Sequence, residues 1–479
     1  MINFDNTYLN LPERFYAEVT PEKVSKPFLL EFNREFASEE LGLNLDTLNK
    51  RELADLFTGQ VLPDSASSIA LAYAGHQFGH FVPQLGDGRA LLMGEIVTPK
   101  GRRYDIQLKG SGQTPFSRDG DGKSSLGPVI REYIVSEAMH FLGVPTTRAL
   151  AAAATGDSIF RDQPLPGGIF TRVASSHIRI GTFEYFAARD DLESLKLLVN
   201  YSIDRHYPDI KDQKNIYLSF LQKIAHTHAS LVAHWMSFGF IHGVMNTDNM
   251  SISGETIDYG PCAFMDNFAS NRVFSSIDRN GRYAYNNQIP IAKWNLYRLA
   301  NCLIPFIHND QKQAISIIED SINSYSHIYE EKWMETMGKK LGLFSSEAED
   351  QALINNWLQY LEDEDLDFTL SFRKLSESSN GLKETSRFKD FSSKWHKRLE
   401  NQPQDLRESR DLMNSVNPVF IPRNHQVERA IQSAFEGDLS IFKDMNHLLK
   451  NPYVDQPKFE AYKVAPKPDE RIEATFCGT

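Results

Sequence analysis

Cysteine is scarce in this sequence, with three residues among 479, at positions 262, 302 and 477. Three thiols are too few for a disulfide framework or a four-thiolate zinc site, and they suit a reducing compartment. Long apolar runs are also missing, because no stretch of about 18 apolar residues is present, and we expect no transmembrane helix. The opening MINFDNTYLNLPERFY matches neither a secretory signal nor a transit peptide. We therefore expect a cytoplasmic protein without a membrane partner.

Positive charge is in deficit over the whole chain. Lysine and arginine number 51 against 63 aspartates and glutamates, which gives a formal net charge of −12. A general nucleic-acid-binding protein would carry a basic face, so nucleic acid is not an expected partner. The composition, 41% hydrophobic and 11% aromatic, is globular and excludes disordered, collagen-like and coiled-coil proteins. Internal repeats and low-complexity linkers are absent, and we expect one multi-lobed, monomeric body.

One segment departs from this acidic balance. Residues 81–180 hold twelve basic and nine acidic residues, a net charge of +3, which leaves −15 for the rest of the chain. The segment is also rich in glycine. A basic, glycine-rich segment suits the binding of a compact polyanion such as a nucleotide triphosphate, with chance clustering as the alternative interpretation.

Residues 90–110 predict two strands joined by a turn. ALLMGEIV is a short apolar run typical of a buried strand, and TPKG follows as the turn. In RRYDIQLKG, apolar and polar residues alternate, which indicates a half-buried strand. Lys109 is therefore expected at the end of the second strand, on its polar face.

A long polar loop and a helix come next. The loop is GSGQTPFSRDGDGKSSLGP, and the following VIREYIVSEAMHFLG has apolar residues close to helical spacing, with Gly143 at its end. Glu132 falls in the first turn and a half of this helix. Other helices are predicted for LPERFYAEV and ELGLNLDTLNKRELADLF, twice within 191–239, and along most of the chain from about 290.

The segment FIHGVMNTDNMSISGETIDYG lies between these two helical regions. Apolar residues on either side of Gly254 predict a short hairpin. Asp248 and Asn249 would precede the hairpin and Asp258 would follow it. Asn249 and Asp258 could then face one another, an oxygen pair that suits a hard divalent cation.

Several stretches resemble familiar binding motifs but fail at a required position. SRDGDGKS has Ser117 where a P-loop needs glycine, and GDGRAL and GSGQTP lack the last glycine of G-x-G-x-x-G. DGDGKS has Lys123 where a calcium loop needs a ligand. His226, His228 and His234 share a predicted helix, but 226 and 228 point to different faces, which favours a structural role over zinc binding.

The order of the remaining polar residues indicates phosphate chemistry. Moving ATP phosphates needs a cation, a group that fixes this cation, oxygen ligands for Mg²⁺ and a group that orients the nucleophile. Lys109 and Glu132 supply the first two in the order used by protein-kinase-like folds. Asp258-Tyr-Gly then occupies the position of the kinase D-F-G.

The usual kinase base is missing from this pattern. After His242-Gly243, the sequence has Val244 where small-molecule phosphotransferases have the aspartate of H-G-D. The nearest carboxylate is instead Asp248, directly beside Asn249. A relocated carboxylate suggests that the reacting phosphorus is relocated too.

Long motifs of the chain resemble those of the SelO (YdiU, selenoprotein O) family. The resemblance extends from FDNTYLNLPERFY through NPVFIPRNHQVERAI to the C-terminal cysteine. It implies an α+β, protein-kinase-like two-lobed fold with a mixed β N-lobe, a mainly helical C-lobe and extra helical C-terminal elements. The corresponding ranges are 1–185 for the N-terminal extension and N-lobe, 186–455 for the C-lobe and 456–479 for the tail. The motifs are YAGHQFGHFVPQLGDGRA, QLKGSGQTPFSRDGDGK, IREYIVSEAMHFLGVPTTRAL, RVASSHIRIGTFEYFA and IHGVMNTDNMSISGETIDYGPCAFMD.

The resemblance implies a protein adenylyltransferase that binds ATP in an inverted orientation. Such an enzyme transfers AMP to Ser, Thr or Tyr hydroxyls of protein substrates and releases pyrophosphate, with UTP as an open second donor. Lys109 would contact phosphate and pair with Glu132, and Asp248 would accept the proton. Asn249 and Asp258 would hold Mg²⁺ or Mn²⁺. The nucleotide would be contacted by Gly86, Gly88, Arg89, Lys109, Asp121, Gly122, Arg172, Arg179 and Asp258.

The C-terminal FCGT places Cys477 where, by the same resemblance, eukaryotic members carry selenocysteine. A terminal thiol could pair reversibly with an internal thiol and regulate activity by redox state. The stretch SNRVFSSIDRNGRYAYNN, where bacterial relatives often offer the partner, has no cysteine. The internal partner would then be Cys262 or Cys302. A bridge to one of them, with Cys262 the more suggestive because it lies four residues after Asp258, and an unbridged tail thiol remain open, and the unbridged thiol is favoured.

Two other functions are compatible with the same residues. One is γ-phosphate transfer to a protein or small molecule, with Asp248 as the base. The other is a pseudokinase that binds nucleotide and serves as an interaction platform. The three hypotheses differ in which phosphorus, if any, is attacked.

Overall fold

The computed structural model describes residues 2–377 and 381–476 and has a mixed α/β architecture. Cys477 lies outside these residues, so its pairing stays a hypothesis. The strands are β1 Tyr16–Glu18, β2 Phe28–Phe32, β3 Ile69–Leu71, β4 Gly75–Gln77, β5 His80–Val82, β6 Ala90–Val97, β7 Arg103–Lys109, β8 Ser124–Ser125, β9 Arg148–Phe160, β10 Pro164–Ala174, β11 Phe240–Ile241 and β12 Ala263–Phe264.

Helices make up most of the chain after β10. The α-helices are α1 Lys50–Phe57, α2 Leu126–Phe141, α3 Ile180–Ala187, α4 Leu192–His206, α5 Ile216–Ser237, α6 Gln288–Ile307, α7 Gln311–Lys340, α8 Asp350–Asp363, α9 Phe368–Ser376, α10 Ser386–Glu400, α11 Leu406–Val416, α12 Asn424–Phe435, α13 Ser440–Leu448 and α14 Glu460–Lys463. Among the described helices, none is both long and apolar enough to cross a membrane.

One antiparallel sheet contains most of the strands. Its order is β1-β3-β6-β7-β10-β9-β2, and β8 pairs with β10 beside this path. The central strands β6, β7 and β10 place the C-terminal end of β7 next to the middle of β10, with Lys109 opposite Phe170. The sheet therefore places Lys109, at the end of β7, beside the part of β10 that carries Arg172.

The two strands predicted within 90–110 are confirmed as β6 and β7. The prediction that the polar face of β7 is exposed to solvent is wrong. Asp105 and Gln107 are 3% and 0% exposed. Asp105 is bonded to His177 and Arg205, and Gln107 accepts from Arg172 at 2.7 Å. Alternation in the sequence reports polarity only, and here the polar face is buried in a hydrogen-bonded network.

Two of the N-terminal helix predictions are also corrected. LPERFYAEV forms a 3₁₀ turn at Glu13–Phe15 followed by β1, because pairing with β3 decides its conformation. In ELGLNLDTLNKRELADLF only α1 is α-helical. It begins after Asn49, whose side chain forms a capping box with Glu52.

The predicted hairpin around Gly254 does not form. In the described structure, residues 250–257 are held by single bridges to other elements, Arg179 with Ser251 and Thr146 with Thr256. The short ladder of this region is instead β11 with β12, on either side of the segment. Asn249 and Asp258 are therefore not brought together by a hairpin. The chain between them is positioned by contacts with residues distant in the sequence.

The predicted helices at 129–143, 191–239 and beyond 290 are confirmed, with two separate helices, α12 and α13, in the segment 424–448. α12 and α13 pack against α2, where Val427 and Ile431 join a core cluster with Ile130 and Ile134. This segment therefore supports the helix that carries Glu132.

Arg423, just before α12, connects this C-terminal layer to the segment after Asp258. Its guanidinium, 1% exposed, contacts Asp266 at 2.5 Å and Asp367 at 2.8 Å. Removing one partner of a buried ion pair leaves the other charges without compensation. The arginine therefore has a structural role that its position in the sequence does not reveal.

We expect Arg423→Ala to lower the free energy of unfolding by about 3–5 kcal/mol, measured by chemical denaturation. The matched control is Arg387→Ala, which removes a surface ion pair with Asp363. The control should cost less than about 1 kcal/mol, because solvent screens exposed charges. Equal losses in the two variants would contradict the proposed connection.

Candidate functional site

A cleft of about 750 Å³ lies between the sheet loops and the segment from Val244 to Pro261. This volume is within the roughly 300–1,000 Å³ typical of small-molecule sites. Of the residues proposed from the sequence, all but Glu132 line it, and Glu132 lies behind Lys109. Those that line it are Gly86, Gly88, Arg89, Lys109, Asp121, Gly122, Arg172, Arg179, Asp248, Asn249 and Asp258.

Asp258 lines this cleft and is shared by three cations. Lys109 Nζ is 2.8 Å and Arg172 Nη1 is 2.7 Å from Asp258 Oδ1, while Arg179 Nη1 is 3.0 Å from Oδ2. Glu132 holds two of the cations from behind, at 2.6 Å from Lys109 and 3.2 Å from Arg172. The cluster is a ready-made set of positive donors around one carboxylate.

The electrostatics of the cluster favour the ionised form of Asp258. Burial alone would raise the pKa of this carboxyl, but the charges of Arg172, Lys109 and Arg179 hold it well below its ordinary range. Asp258 also has a φ of 64°, in the left-handed region that non-glycine residues rarely adopt. Such strain persists only where the surroundings fix the conformation, as the three cations do here.

Each cation is placed by a different element. Lys109 ends β7, Arg172 lies in β10 with its Nε bonded to Gln107, and Arg179 precedes α3. The pairing of β7 with β10 fixes the first two relative to one another. Arg179 stacks on Tyr73, with its guanidinium carbon 4.6 Å from the ring centroid.

Asp248 occupies a 3₁₀ turn on the other side of Arg179, which donates to the Asp248 carbonyl oxygen at 2.8 Å. Its side chain is buried, and burial raises its pKa to about 6 against the opposing charge of Arg179. Gln77 Nε2 lies 3.3 Å from Oδ2, while Oδ1 has no hydrogen-bond partner in the described structure. A buried carboxylate with a raised pKa is suited to accept a proton.

The β4–β5 hairpin covers Asp248. A Cβ atom at Gly75 would lie 2.5 Å from Asp248 Oδ1, so only glycine allows this approach. His76 is tied to the same turn, because its backbone N–H donates to Thr247 Oγ1 at 2.7 Å and its ring contacts Glu184 at 2.6 Å. Thr247 in turn donates to Glu184. The hairpin and the turn are thereby held as one unit.

The polar loop contributes a second group of charges. Asp121 accepts from Arg161 at 2.8 and 3.1 Å, and this bonding lowers the pKa of the carboxyl. Asp121 therefore orients an arginine at the edge of the cleft.

At Gly86, whose φ is +75°, a Cβ would lie 2.3 Å from the Phe116 ring, which explains the glycine in this turn.

Four residues that were not predicted from the sequence also line the cleft: Tyr73, Gln77, Asp87 and Arg161. Asp87 is buried, accepts from Gln107 at 2.9 Å, and has Oδ1 3.6 Å from Arg179 Nη2. The sequence contains a signal for three of these residues. Tyr73 and Gln77 belong to the motif YAGHQ, and Asp87 lies between Gly86 and Gly88, which were predicted to contact the nucleotide. Their roles depend on long-range contacts that the motif does not specify.

The basic segment at 81–180 divides into two groups. Five basic residues form ion pairs away from the cleft: Lys100, Arg102, Arg103, Arg131 and Arg148. The basic residues that line the cleft are Arg89, Lys109, Arg118, Lys123, Arg161, Arg172 and Arg179. The local excess of positive charge thus converges on one cavity instead of spreading over a surface.

Asn249 and Asp258 present the oxygen donors expected for a hard divalent cation. Among the described residues, no group of three or more His, Cys, Asp or Glu forms a metal cage. Mg²⁺ seldom needs one, because it usually takes one or two carboxylates together with substrate phosphates and water. The Asn249 amide is fixed by its donation to the Val244 carbonyl at 3.0 Å. The donor set therefore fits a cation bound together with a nucleotide.

Comparison with known proteins identifies close relatives over the whole chain. The family described as protein adenylyltransferase SelO matches residues 1–450. Protein nucleotidyltransferase YdiU of Rhizobium meliloti (strain 1021) is 51% identical over 487 aligned positions, covering 99% of both chains. The protein of the same name from Agrobacterium fabrum (strain C58 / ATCC 33970) is 51% identical and covers 100% of both chains. The one from Bacillus cereus (strain AH820) is 50% identical, with 100% of this chain and 98% of that protein covered.

A family match across 1–450 and identities of about 50% over full-length relatives leave no doubt about membership. The resemblance stated from the sequence motifs is confirmed. This chain belongs to the SelO family of protein adenylyltransferases, which are nucleotidyltransferase enzymes.

Proposed function

We propose that this protein transfers AMP from ATP to Ser, Thr or Tyr hydroxyls of protein substrates and releases pyrophosphate. The observation that carries the proposal is the convergence of Lys109, Arg172 and Arg179 on Asp258, with Asp248 in the same cleft. Three fixed cations can bind a polyphosphate, and a separate buried carboxylate can accept the proton of the incoming hydroxyl. UTP would meet the same phosphate contacts.

The reaction needs the cations mainly at its leaving group. The hydroxyl oxygen attacks the α-phosphorus, the bond from this phosphorus to the bridging oxygen breaks, and pyrophosphate departs with additional negative charge. Lys109 and the two arginines are already desolvated and clustered, so they are positioned to stabilise this charge. In the structure they bind Asp258, and a triphosphate would compete with this carboxylate for their hydrogen bonds.

Asp248 would receive the proton of the hydroxyl. Its carboxyl oxygens lie under the β4–β5 hairpin, and its backbone is fixed by Arg179. With a pKa of about 6, Asp248 is ionised at neutral pH yet more basic than an ordinary aspartate. This balance is what a general base requires.

Asn249 and Asp258 are the residues that would hold Mg²⁺ or Mn²⁺. A bound cation would neutralise charge on the phosphates. Glu132 would act behind Lys109, keeping this ammonium group oriented. Glycines 86, 88 and 122, with Arg89 and Asp121, would form the wall on the side of the sheet.

We infer that the chain follows a protein-kinase-like plan, with an N-lobe in 1–185, a helical C-lobe in 186–455 and a tail from 456. The antiparallel sheet followed by helices, with the cleft between them, supports this plan. γ-Phosphate transfer and a catalytically idle pseudokinase remain the alternatives. Membership in a family of nucleotidyltransferases supports an active enzyme, and the buried Asp248, whose pKa is raised, agrees with it.

Incubation with ATP labelled at the α-phosphate or at the γ-phosphate tests the proposal directly. We expect covalent label on protein from the α-labelled nucleotide alone, because only AMP transfer retains the α-phosphorus. Label from the γ form alone would establish γ-phosphate transfer and refute the proposal. Nucleotide binding without either label would establish the scaffold function.

We expect Asp258→Ala to reduce metal-dependent AMP transfer by at least about 100-fold, as loss of a central electrostatic group does in other enzymes. The same change frees three cations from their carboxylate, so calorimetry without metal should show ATP binding that is retained or tighter. Asp162→Ala, at an exposed acid, is the control and should leave both measurements unchanged. Retained, metal-dependent transfer by Asp258→Ala would disprove the ligand assignment.

The pH dependence of kcat/KM should report Asp248. Below about pH 6 the carboxyl is protonated in the folded protein and cannot accept a proton, so activity should fall about ten-fold per pH unit. The Gln77 amide lowers this pKa, so Gln77→Leu should move the acid limb to higher pH. An unmoved limb in Gln77→Leu, or a limb that persists in the residual activity of Asp248→Asn, would exclude Asp248 as the titrating group.

A further inference from the structure

Arg282, Trp294 and Arg298 form a stacked group outside the nucleotide cleft, which we name the arginine–tryptophan patch. The guanidinium carbons of the two arginines lie 4.8 and 4.9 Å from the centroid of the Trp294 ring. Trp294 and Arg298 are one turn apart on α6, and Arg282 comes from the loop before it. All three side chains are half-buried and so remain accessible from solvent.

The two arginines of the patch lack anionic partners. Among the described residues neither forms an ion pair, and the Nε atom of each is buried without a hydrogen bond. Asp278, near in sequence, is occupied by the backbone N–H groups of Arg282 and Tyr283, at 2.9 and 2.7 Å. By contrast, the buried Arg398 is matched to carboxylates. Two unmatched cations held on one indole ring are arranged to bind an anion.

The position of the patch connects it to the proton acceptor. The His76 ring lies 5.2 Å from Trp294, and a Cβ at Gly79 would lie 3.5 Å from the Arg282 guanidinium. Both residues belong to the β4–β5 hairpin, whose Gln77 contacts Asp248. The patch residues are not among those that line the cleft, so they lie apart from the phosphate site. The β4–β5 hairpin therefore lies next to both Asp248 and the patch.

We propose that the arginine–tryptophan patch docks an acidic segment of the acceptor protein, near in sequence to the hydroxyl that is modified. This inference rests on the proposed AMP transfer to proteins. The planar guanidinium groups pair with carboxylates in a two-pronged geometry, and the indole provides an apolar surface for the adjoining chain. The protein as a whole carries a net charge of −12, so the attraction to an acidic segment comes from the patch alone. Salt screens charges that face solvent, so the affinity for the segment should fall as the salt concentration increases.

Fluorescence anisotropy of a labelled peptide tests the docking directly on the full chain. The peptide contains one tyrosine followed by a run of glutamates, and its comparison peptide has glutamine at the same positions. We expect the acidic peptide to bind more tightly than the glutamine peptide. The double variant Arg282→Gln with Arg298→Gln should bind the acidic peptide about ten-fold more weakly, as expected for two exposed charge pairs.

Arg279→Gln is the matched control, because Arg279 is an exposed arginine of the same loop outside the patch. The control should bind the acidic peptide as the unmodified protein does. If the double variant fails to fold, as judged by circular dichroism, the single variants replace it, each with an expected loss of about three-fold. Equal affinity for both peptides, or an unchanged affinity in the arginine variants, would refute the docking site.

The binding measurement needs no AMP transfer, so the two proposals can fail separately. Arginine-dependent peptide binding without α-label incorporation would uphold the patch as a docking site for acidic segments and refute the proposed activity. Incorporation of α-label with no effect of the arginine variants on peptide binding would uphold the activity and refute the patch. When both hold, the double variant should raise KM for the acidic peptide and leave kcat nearly unchanged.

Discussion

The attraction between Asp258 and its three cations is the constraint on which the rest of the site depends. Lys109 comes from β7, Arg172 from β10 and Arg179 from the start of α3, so one carboxylate joins three elements that the chain does not place together. The backbone of Asp258 is itself in a left-handed conformation. Desolvating these charges costs several kcal/mol per ion, and the geometry is retained because the charges compensate one another.

The proposed function assigns two chemical tasks to different parts of this cleft. The cations and the pair Asn249 and Asp258 would act on the phosphates, whereas Asp248 lies beyond Arg179 under the β4–β5 hairpin. Environment alone distinguishes the two aspartates: nearby cations hold the pKa of Asp258 low, and burial raises that of Asp248 to about 6. Two carboxylates with opposite shifts are a common arrangement for dividing charge stabilisation from proton transfer.

The hairpin that covers Asp248 also connects the site to the outer surface. Its backbone and His76 are bonded to Thr247 and Glu184, and its tip at Gly79 leaves room beside it for the Arg282 guanidinium of the arginine–tryptophan patch. The β4–β5 hairpin therefore lies next to both Asp248, the proposed proton acceptor, and the candidate docking surface. This arrangement would allow selection of the acceptor protein without altering the nucleotide site.

The sequence by itself determined the chemical parts and their order: strands 90–97 and 103–109, the end position of Lys109, the helix with Glu132 and the family motifs. These depend on local periodicity and on residue type, which neighbouring residues dictate. Only the tertiary structure decided that the polar face of β7 is buried, that residues 250–257 form no hairpin, and that Gln77, Asp87 and Arg161 join the cleft. The reason is physical, because burial, strand pairing and charge compensation arise between residues distant in the chain.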